Sequence, residues 1–294
     1  MSRIYEALAR ANHVGVDPAP TASVPAAVTA LEQYVQEGRH AFVDQRPVMR
    51  PVPPSLATTV VDPYPSIVPT FDFEGKVIDG SLGNLMAADQ YATLAALLHQ
   101  TQLDGGLKTL LVTSATPQEG KTVTVVNLAI TLANSYARRV LIVDADLRRP
   151  SVHRALGISA GRGLSDALSR SAGELPIIQV SPQLSVLPAG RPDPNPLARL
   201  SHDRLQQILE ECAARFDWVL VDTPPLGSGA DAQLLARFVQ GVIFVIRAGA
   251  APYHVLERAV AQLGRESIIG TVLNGVNEAA VPPSSTYDTP APTS

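Results

Sequence analysis

The chain predicts a three-layer α/β/α domain built on a mainly parallel sheet and preceded by a long disordered N-terminal region. Three observations carry this. Six short β-branched apolar runs recur at Thr109 to Thr113, Val140 to Val143, Leu184 to Leu187, Trp218 to Val221, Val242 to Ile246 and Ile268 to Leu273. Helix-length amphipathic segments alternate with them, and strands apolar on both faces separated by helices indicate a parallel sheet covered on each side. Finally, ten of the 25 prolines fall before residue 80, outside the patterned region.

Taken in order, residues 1–12 carry Ile4, Leu8 and Ala11 at helical spacing behind Ser2 as an N-cap, a short amphipathic helix that serves either as a docking peptide or as a frayed helix on its own domain. Residues 13–83, with stretches such as Arg50-Pro51-Val52-Pro53-Pro54, cannot bury enough apolar surface to offset chain entropy and read as linker. The patterned domain spans 84–278. A helix is expected from about Lys121 to Tyr136 and another over 201–215, where Leu205, Ile208, Leu209 and Cys212 supply core contacts. Residues 279–294, broken by Pro282, Pro283, Pro290 and Pro292, read as a disordered tail.

Composition narrows the function. A net charge of -4 with 17% charged residues provides no basic surface for nucleic acid. No apolar run approaches the roughly 18 to 20 residues of a spanning helix, and Met1-Ser2-Arg3-Ile4-Tyr5-Glu6 lacks a signal-peptide core, so a cytoplasmic protein is expected. A single cysteine, Cys212, excludes an internal disulfide and a multi-cysteine metal site. His153 and His202 have no partners at metal-ligand spacing and read as structural.

The chemistry is concentrated at three strand ends. Ala115-Thr116-Pro117-Gln118-Glu119-Gly120-Lys121-Thr122 lies between a strand and a helix, where successive amides and the positive helix end converge on a phosphate. Gly120 lets the backbone approach, Lys121 reaches the outer phosphates, and the Thr122 hydroxyl suits magnesium. Ala115 stands where the usual motif has glycine. Val140-Leu141-Ile142-Val143-Asp144-Ala145-Asp146 and Trp218-Val219-Leu220-Val221-Asp222 place carboxylates at strand ends, where ligands of open α/β sheets bind. An aspartate after a strand is also a common turn former; three beside a phosphate loop indicate one site. Arg148 and Arg149 either bind phosphate or an acidic strand end, or form a solvated pair beside Pro150.

These elements, with Asp222-Thr223-Pro224-Pro225, Leu187-Pro188-Ala189-Gly190, Asn195-Pro196, Ala230-Asp231-Ala232 and Gly270-Thr271-Val272-Leu273-Asn274, resemble the bacterial tyrosine kinases of exopolysaccharide and capsule synthesis. Those kinases are P-loop NTPases related to the partition and septum-site ATPases. The resemblance covers roughly 85–276. The leader Ser2-Arg3-Ile4-Tyr5-Glu6-Ala7-Leu8 is similar to the start of stand-alone kinases encoded beside exosortase-linked polysaccharide systems. The resemblance implies ATP and Mg2+, with Thr122, Asp144, Asp146 and Asp222 around the metal. It implies catalytic roles for Lys121, Asp144 and Asp146, one of the two aspartates accepting the tyrosine proton. The nucleotide-binding set becomes Thr116, Pro117, Gln118, Glu119, Gly120, Lys121, Thr122 and Val123, with Asn274 either facing adenine or acting as a strand-end turn residue. It further implies a membrane-embedded chain-length regulator as activator, recruitment to the inner face of the cytoplasmic membrane, and self-association.

Departures from the family pattern accompany the match. The family's Glu-x-x-Arg-x-x-Arg helix reads Asp89, Ala92 and Ala95, removing the guanidinium forks of a ring interface. The C-terminal tyrosine cluster is reduced to Tyr287, the candidate phosphoacceptor; Tyr64 and Tyr91 are either further acceptors or, the favoured reading, structural or incidental tyrosines. Gln118 replaces glycine, which is tolerable if its φ stays negative. The functional expectation is a tyrosine autokinase regulating polysaccharide synthesis and export. The alternatives are a nucleotide-binding regulator without kinase activity and a positioning ATPase, the latter disfavoured because Ala115 and Thr116 stand where that group carries a second lysine. Amide hydrogens over 13–80 and 281–294 are expected to exchange almost unprotected, and strong protection across the first range would contradict the linker reading.

Overall fold

The computed structural model describes residues 85–159, 161–169, 173–200 and 203–276. The N-terminal helix, the linker, the C-terminal tail, Tyr64, His202 and Tyr287 lie outside the described residues. Helix α1 (Leu85–Gly105) leads into β1 (Thr109–Ser114), α2 (Lys121–Tyr136) and β2 (Val140–Asp144). Two short helices, α3 (Val152–Ala155) and α4 (Leu164–Leu168), precede β3 (Ile178–Gln179) and β4 (Leu184–Leu187). Then come α5 (Leu197–Leu200), α6 (Asp203–Arg215), β5 (Trp218–Asp222), α7 (Asp231–Leu235), β6 (Gly241–Arg247), α8 (Tyr253–Leu263) and β7 (Ile268–Asn274).

The seven strands form one sheet in the order β3-β4-β2-β5-β1-β6-β7. Every neighbouring pair is parallel except β3 with β4. All six expected strands are present, within a residue of the expected ends, and α2 begins and ends where periodicity placed it. The two-residue antiparallel β3 and the four- and five-residue helices have no sequence counterpart, because one turn or two residues cannot establish a period.

Alternation along each strand explains why the runs are apolar throughout. Leu111, Leu141, Val143, Val219 and Val221 enter a core with α6 residues Leu205, Ile208, Leu209 and Cys212. Their neighbours Leu110, Val112, Val140, Ile142, Trp218 and Leu220 enter a second core with Ala95 and Leu98 of α1 and Val125, Leu128 and Leu132 of α2. Side chains thus point alternately into two cores, and each strand needs hydrophobicity at every position. Cys212 is buried, as expected for a small core residue, and burial pushes its thiol up to about 12.

The strand order fixes where the loops meet. β5 lies between β1 and β2, so the chain leaves β1 in one direction to build β2 and returns past it to build β6. The loops after β1, β2 and β5 therefore emerge side by side at the carboxyl edge of the sheet, the position of ligand crevices in such folds. Trp218 is fully buried at the start of β5. Trp218→Ala is expected to lower unfolding free energy by about 4 kcal/mol, read from the urea midpoint.

Candidate active site

The loop from Ala115 to Gly120 ends at α2, and its curvature is set by three ties. The Glu119 carboxylate folds back so that Oε2 accepts from Thr116 N at 2.7 Å. Asn274 Nδ2, at the end of β7, donates to Glu119 O at 3.0 Å, and Arg247 Nη1 donates to Gln118 O at 3.4 Å. Gly120 has φ +98, and a Cβ there would lie 1.9 Å from Asn274 Nδ2. Glycine is required both for the left-handed conformation and for the asparagine seated against it.

Gln118 departs from expectation. Its φ is +64, so the condition under which glutamine was tolerable is not met. The loop must double back for Glu119 to reach Thr116, and that reversal takes residue 118 through the left-handed region, where a side chain costs about 1 kcal/mol. Asn274 also has a role that its motif did not indicate. Its amide latches the loop while its Oδ1 accepts from Gly275 N at 2.8 Å.

The three strand ends converge. Asp144 and Asp222 are register partners on adjacent parallel strands, and both are buried. Asp144 accepts three backbone amides: Asp146 N on Oδ1 at 3.2 Å, and Ser151 N and Val152 N on Oδ2 at 3.2 and 3.1 Å. Asp222 Oδ2 accepts from Thr122 Oγ1 at 2.7 Å, while its Oδ1 is buried without a partner. Thr122 Oγ1 also lies 2.9 Å from Ser151 Oγ. Lys121, the first residue of α2, is buried beside these groups. Asp146 is part-exposed at the rim, its Oδ1 accepting from Arg149 N at 2.9 Å.

Burial dominates the electrostatics. It pushes Asp222 up to about 7, against the hydrogen bond from Thr122 and the charge of Lys121. It holds Asp144 well above the usual carboxylate range, with the Asp222 charge adding to the effect and the amides of Val152 and Ser151 opposing it. Burial lowers the Lys121 ammonium, with Asp222, Asp146 and Glu119 restoring part of the loss. Two buried carboxylates facing one desolvated lysine, with an orphaned Asp222 oxygen beside a threonine hydroxyl, fit a hard cation. Among the described residues no group of three or more His, Cys, Asp or Glu side chains could hold a metal ion by itself.

Other residues singled out in the sequence find different partners. Arg148 forks onto the buried Asp231, with Nε to Oδ2 at 2.6 Å and Nη2 to Oδ1 at 3.3 Å, and donates to Pro194 O at 3.0 Å. It therefore braces the loop after β2 against α7, while the Arg149 side chain is exposed. The Leu187–Gly190 segment is held by amides of Leu164 and Ser165 bonding to Pro188 O and Ala189 O at 2.7 and 2.9 Å. Tyr91 is half-buried, its hydroxyl 3.5 Å from Thr124 Oγ1. Ala92 is exposed, whereas Ala95 is buried against α2. Sequence reading missed Ser151, whose only signal is a small hydroxyl residue directly after Pro150; it included Glu119 in the nucleotide-binding set but not the inward turn of its buried carboxylate onto Thr116.

Gln118→Gly is expected to raise unfolding free energy by about 1 kcal/mol, whereas Gly120→Ala is expected to dislodge Asn274 and abolish nucleotide binding measured by calorimetry. The raised Asp222 acidity, about 7 against 3.8 for the free side chain, fixes a pH dependence. Between these values the folded carboxyl retains a proton that the unfolded chain has released, so stability present at the acidic end is lost as pH rises toward 7. In EDTA the urea midpoint is expected to fall from pH 5 to pH 8, and this component of the fall is expected to vanish in Asp222→Asn.

The chain is similar in sequence and fold to known proteins. No family model matches the chain. Tyrosine-protein kinase YwqD of Bacillus subtilis is 33% identical over 192 residues, covering 64% of this chain and 81% of that protein. The solved kinase domain of Escherichia coli tyrosine kinase ETK superposes with a TM-score of 0.61 at 31% identity, covering 69% of this chain and 80% of that domain. The septum site-determining protein MinD of Pyrococcus horikoshii, solved with Mg-ADP, has a TM-score of 0.50 at 22% identity over 60% of this chain and 74% of that one; this likeness concerns the fold, which accommodates a magnesium nucleotide in that protein. With a third of its aligned residues shared across most of a curated kinase, the chain belongs to the bacterial tyrosine-protein kinases.

Proposed function

We propose that this chain transfers the γ-phosphate of ATP to tyrosine hydroxyls, its own included, and that it does so at the junction of β1, β2 and β5. The observation that carries the reading is the convergence of Lys121, Thr122, Asp144 and Asp222, closed by the 2.7 Å bond from Thr122 to Asp222. The loop amides and Lys121 bind the phosphate chain and neutralise charge on the transferring group. Thr122 and Asp222, with Asp144 behind them, would hold magnesium. When bound, that ion supplies charge neutralisation for a loose phosphoryl-transfer transition state.

The two aspartates of the β2 loop divide the work. Asp144 is buried with both oxygens engaged by backbone amides, so it shapes the loop and the field. Asp146 stands at the rim and accepts the tyrosine hydroxyl proton. A phenol titrates near 10, so this proton moves only as the transfer advances, which a carboxylate positioned at the edge can serve.

The family relationship supports a role in polysaccharide synthesis and export, with activation by the cytoplasmic end of a membrane-embedded chain-length regulator. No helix among the described residues is long and apolar enough to cross a membrane, so attachment to the inner face of the membrane would come through that partner. The 13–83 linker would give the leader helix room to reach it.

Purified chain with ATP and magnesium is expected to gain phosphotyrosine, detected by mass spectrometry. Lys121→Met is expected to abolish it, and Asp146→Asn to slow it by about 100-fold or more with nucleotide affinity retained. ATP binding without phosphotyrosine, even with the cognate membrane activator added, would identify a nucleotide-dependent regulator instead.

A further inference from the structure

Next to the loop after β2 lies an open cavity of about 470 Å³ that the phosphate site does not use. Arg149, Pro150, His153, Arg154 and Pro192 line it, with Arg148 at its base. Arg148 is already engaged by Asp231. Arg149 and Arg154 are exposed. Among the described residues no carboxylate pairs with either guanidinium, and Arg154 Nη2 donates to Pro150 O at 3.4 Å. Burial and the charge of Arg154 hold the His153 imidazole below its ordinary value, so at neutral pH the positive charge belongs to the two arginines. Such a cavity favours a small anionic group able to accept a guanidinium fork.

Its position identifies which anion. Arg149, which lines the cavity, also bonds through its backbone amide to Asp146 Oδ1 at 2.9 Å, so one residue links the cavity to the rim carboxylate. A tyrosine whose hydroxyl meets Asp146 has its Cα one aromatic side chain back from that contact and the next Cα about 3.8 Å beyond, which lays the following side chain over the surface around Asp146, where Arg149 is a neighbour in the chain. The chain has seven tyrosines, and only Tyr5 and Tyr287 are followed directly by a carboxylate, Glu6 and Asp288. Tyr91, Tyr136 and Tyr253 belong to helices. Tyr287 follows Val276 by eleven positions, an extended reach of at most about 40 Å.

Resting on the kinase reading above, we propose that this basic cavity is the part of the acceptor site that reads the residue after the phosphorylated tyrosine, selecting tyrosines followed by aspartate or glutamate. The carboxylate stays outside the chemistry. It anchors the acceptor by charge-assisted hydrogen bonds to Arg149 and Arg154 while the tyrosine ring points toward Asp146. On this basis Tyr287-Asp288 and Tyr5-Glu6 are the preferred internal acceptors, and foreign substrates carry the same acidic neighbour.

The test uses the full chain with magnesium and ATP and synthetic peptides of residues 284–290 bearing aspartate, asparagine or lysine at position 288. The aspartate peptide is expected to have a kcat/KM about fivefold or more above the asparagine peptide, mainly through KM, with lysine lower still. Arg149→Ala combined with Arg154→Ala is expected to erase the preference, and Arg149→Glu with Arg154→Glu to favour lysine; retained ADP affinity checks that these variants fold. Equal kcat/KM for the three peptides with the unsubstituted chain overturns the proposal and leaves the kinase reading intact, whether or not the variants fold. A preference that survives both substitutions also overturns it. Absence of phosphotyrosine in every peptide and in the chain itself overturns the kinase reading, and this proposal with it.

Discussion

Two carboxylates buried side by side at the tips of adjacent strands are the constraint around which the rest of the structure is arranged. Asp144 and Asp222 occupy paired positions on β2 and β5, and neither reaches solvent. Removing two like charges from water raises the energy of both, and the sheet register leaves them no means of separating. What makes the arrangement tolerable is local: three backbone amides on Asp144, a threonine hydroxyl on Asp222 and the Lys121 ammonium nearby. One Asp222 oxygen remains without any partner. Burial therefore favours the protonated, neutral form of both carboxyls, and their ionised form is balanced at the position where a divalent ion and Lys121 together would meet them.

The second requirement is that the phosphate loop be held rigid from outside itself. Its ties come from the far end of the chain, Asn274 at the tip of β7 and Arg247 at the tip of β6. Strands β6 and β7 thus do more than extend the sheet, since they carry the latch that presses on Gly120 and fixes the loop's curvature. The same logic appears on the other side of the site. Arg148 ties the β2 loop to Asp231 across 83 residues of sequence, and the Leu187–Gly190 turn receives the amides of α4. Loops that must present charges in fixed directions are braced by side chains from neighbouring crossovers, which limits the rearrangement needed when ligand arrives.

This division explains what the sequence revealed. Strand runs such as Val140 to Val143 and the helix Lys121–Tyr136 were legible because a single local period decides them. The strand-end aspartates were legible because parallel topology sends them to one edge. The φ of Gln118 was not, because its sign follows from a carboxylate folding back on Thr116, a tertiary fact with no local signature. The hydrogen bond from Asn274 to Glu119, spanning 155 positions, adds to the adenine-facing or turn role that its motif suggests and has no local signature. Arg148 and Asp231 were each noticed separately; only the sheet order brings them together.

The same reasoning bears on how copies of this chain could meet. Ala95 lies in the interface of α1 with α2, in the core that also holds Val125, Leu128 and Leu132. An arginine at that point would bury a guanidinium among aliphatic side chains, a cost that no carboxylate nearby would offset. Alanine at 95 is therefore set by packing, and only position 92 stands at the surface. Besides polar residues such as Asp89, Gln100 and Asp104, α1 exposes Leu97 and Leu103, 64% and 61% accessible. Bidentate arginine pairing across α1 is chemically unavailable to this chain, so control by assembly cannot act through guanidinium forks on this helix and must draw on other surfaces of the molecule.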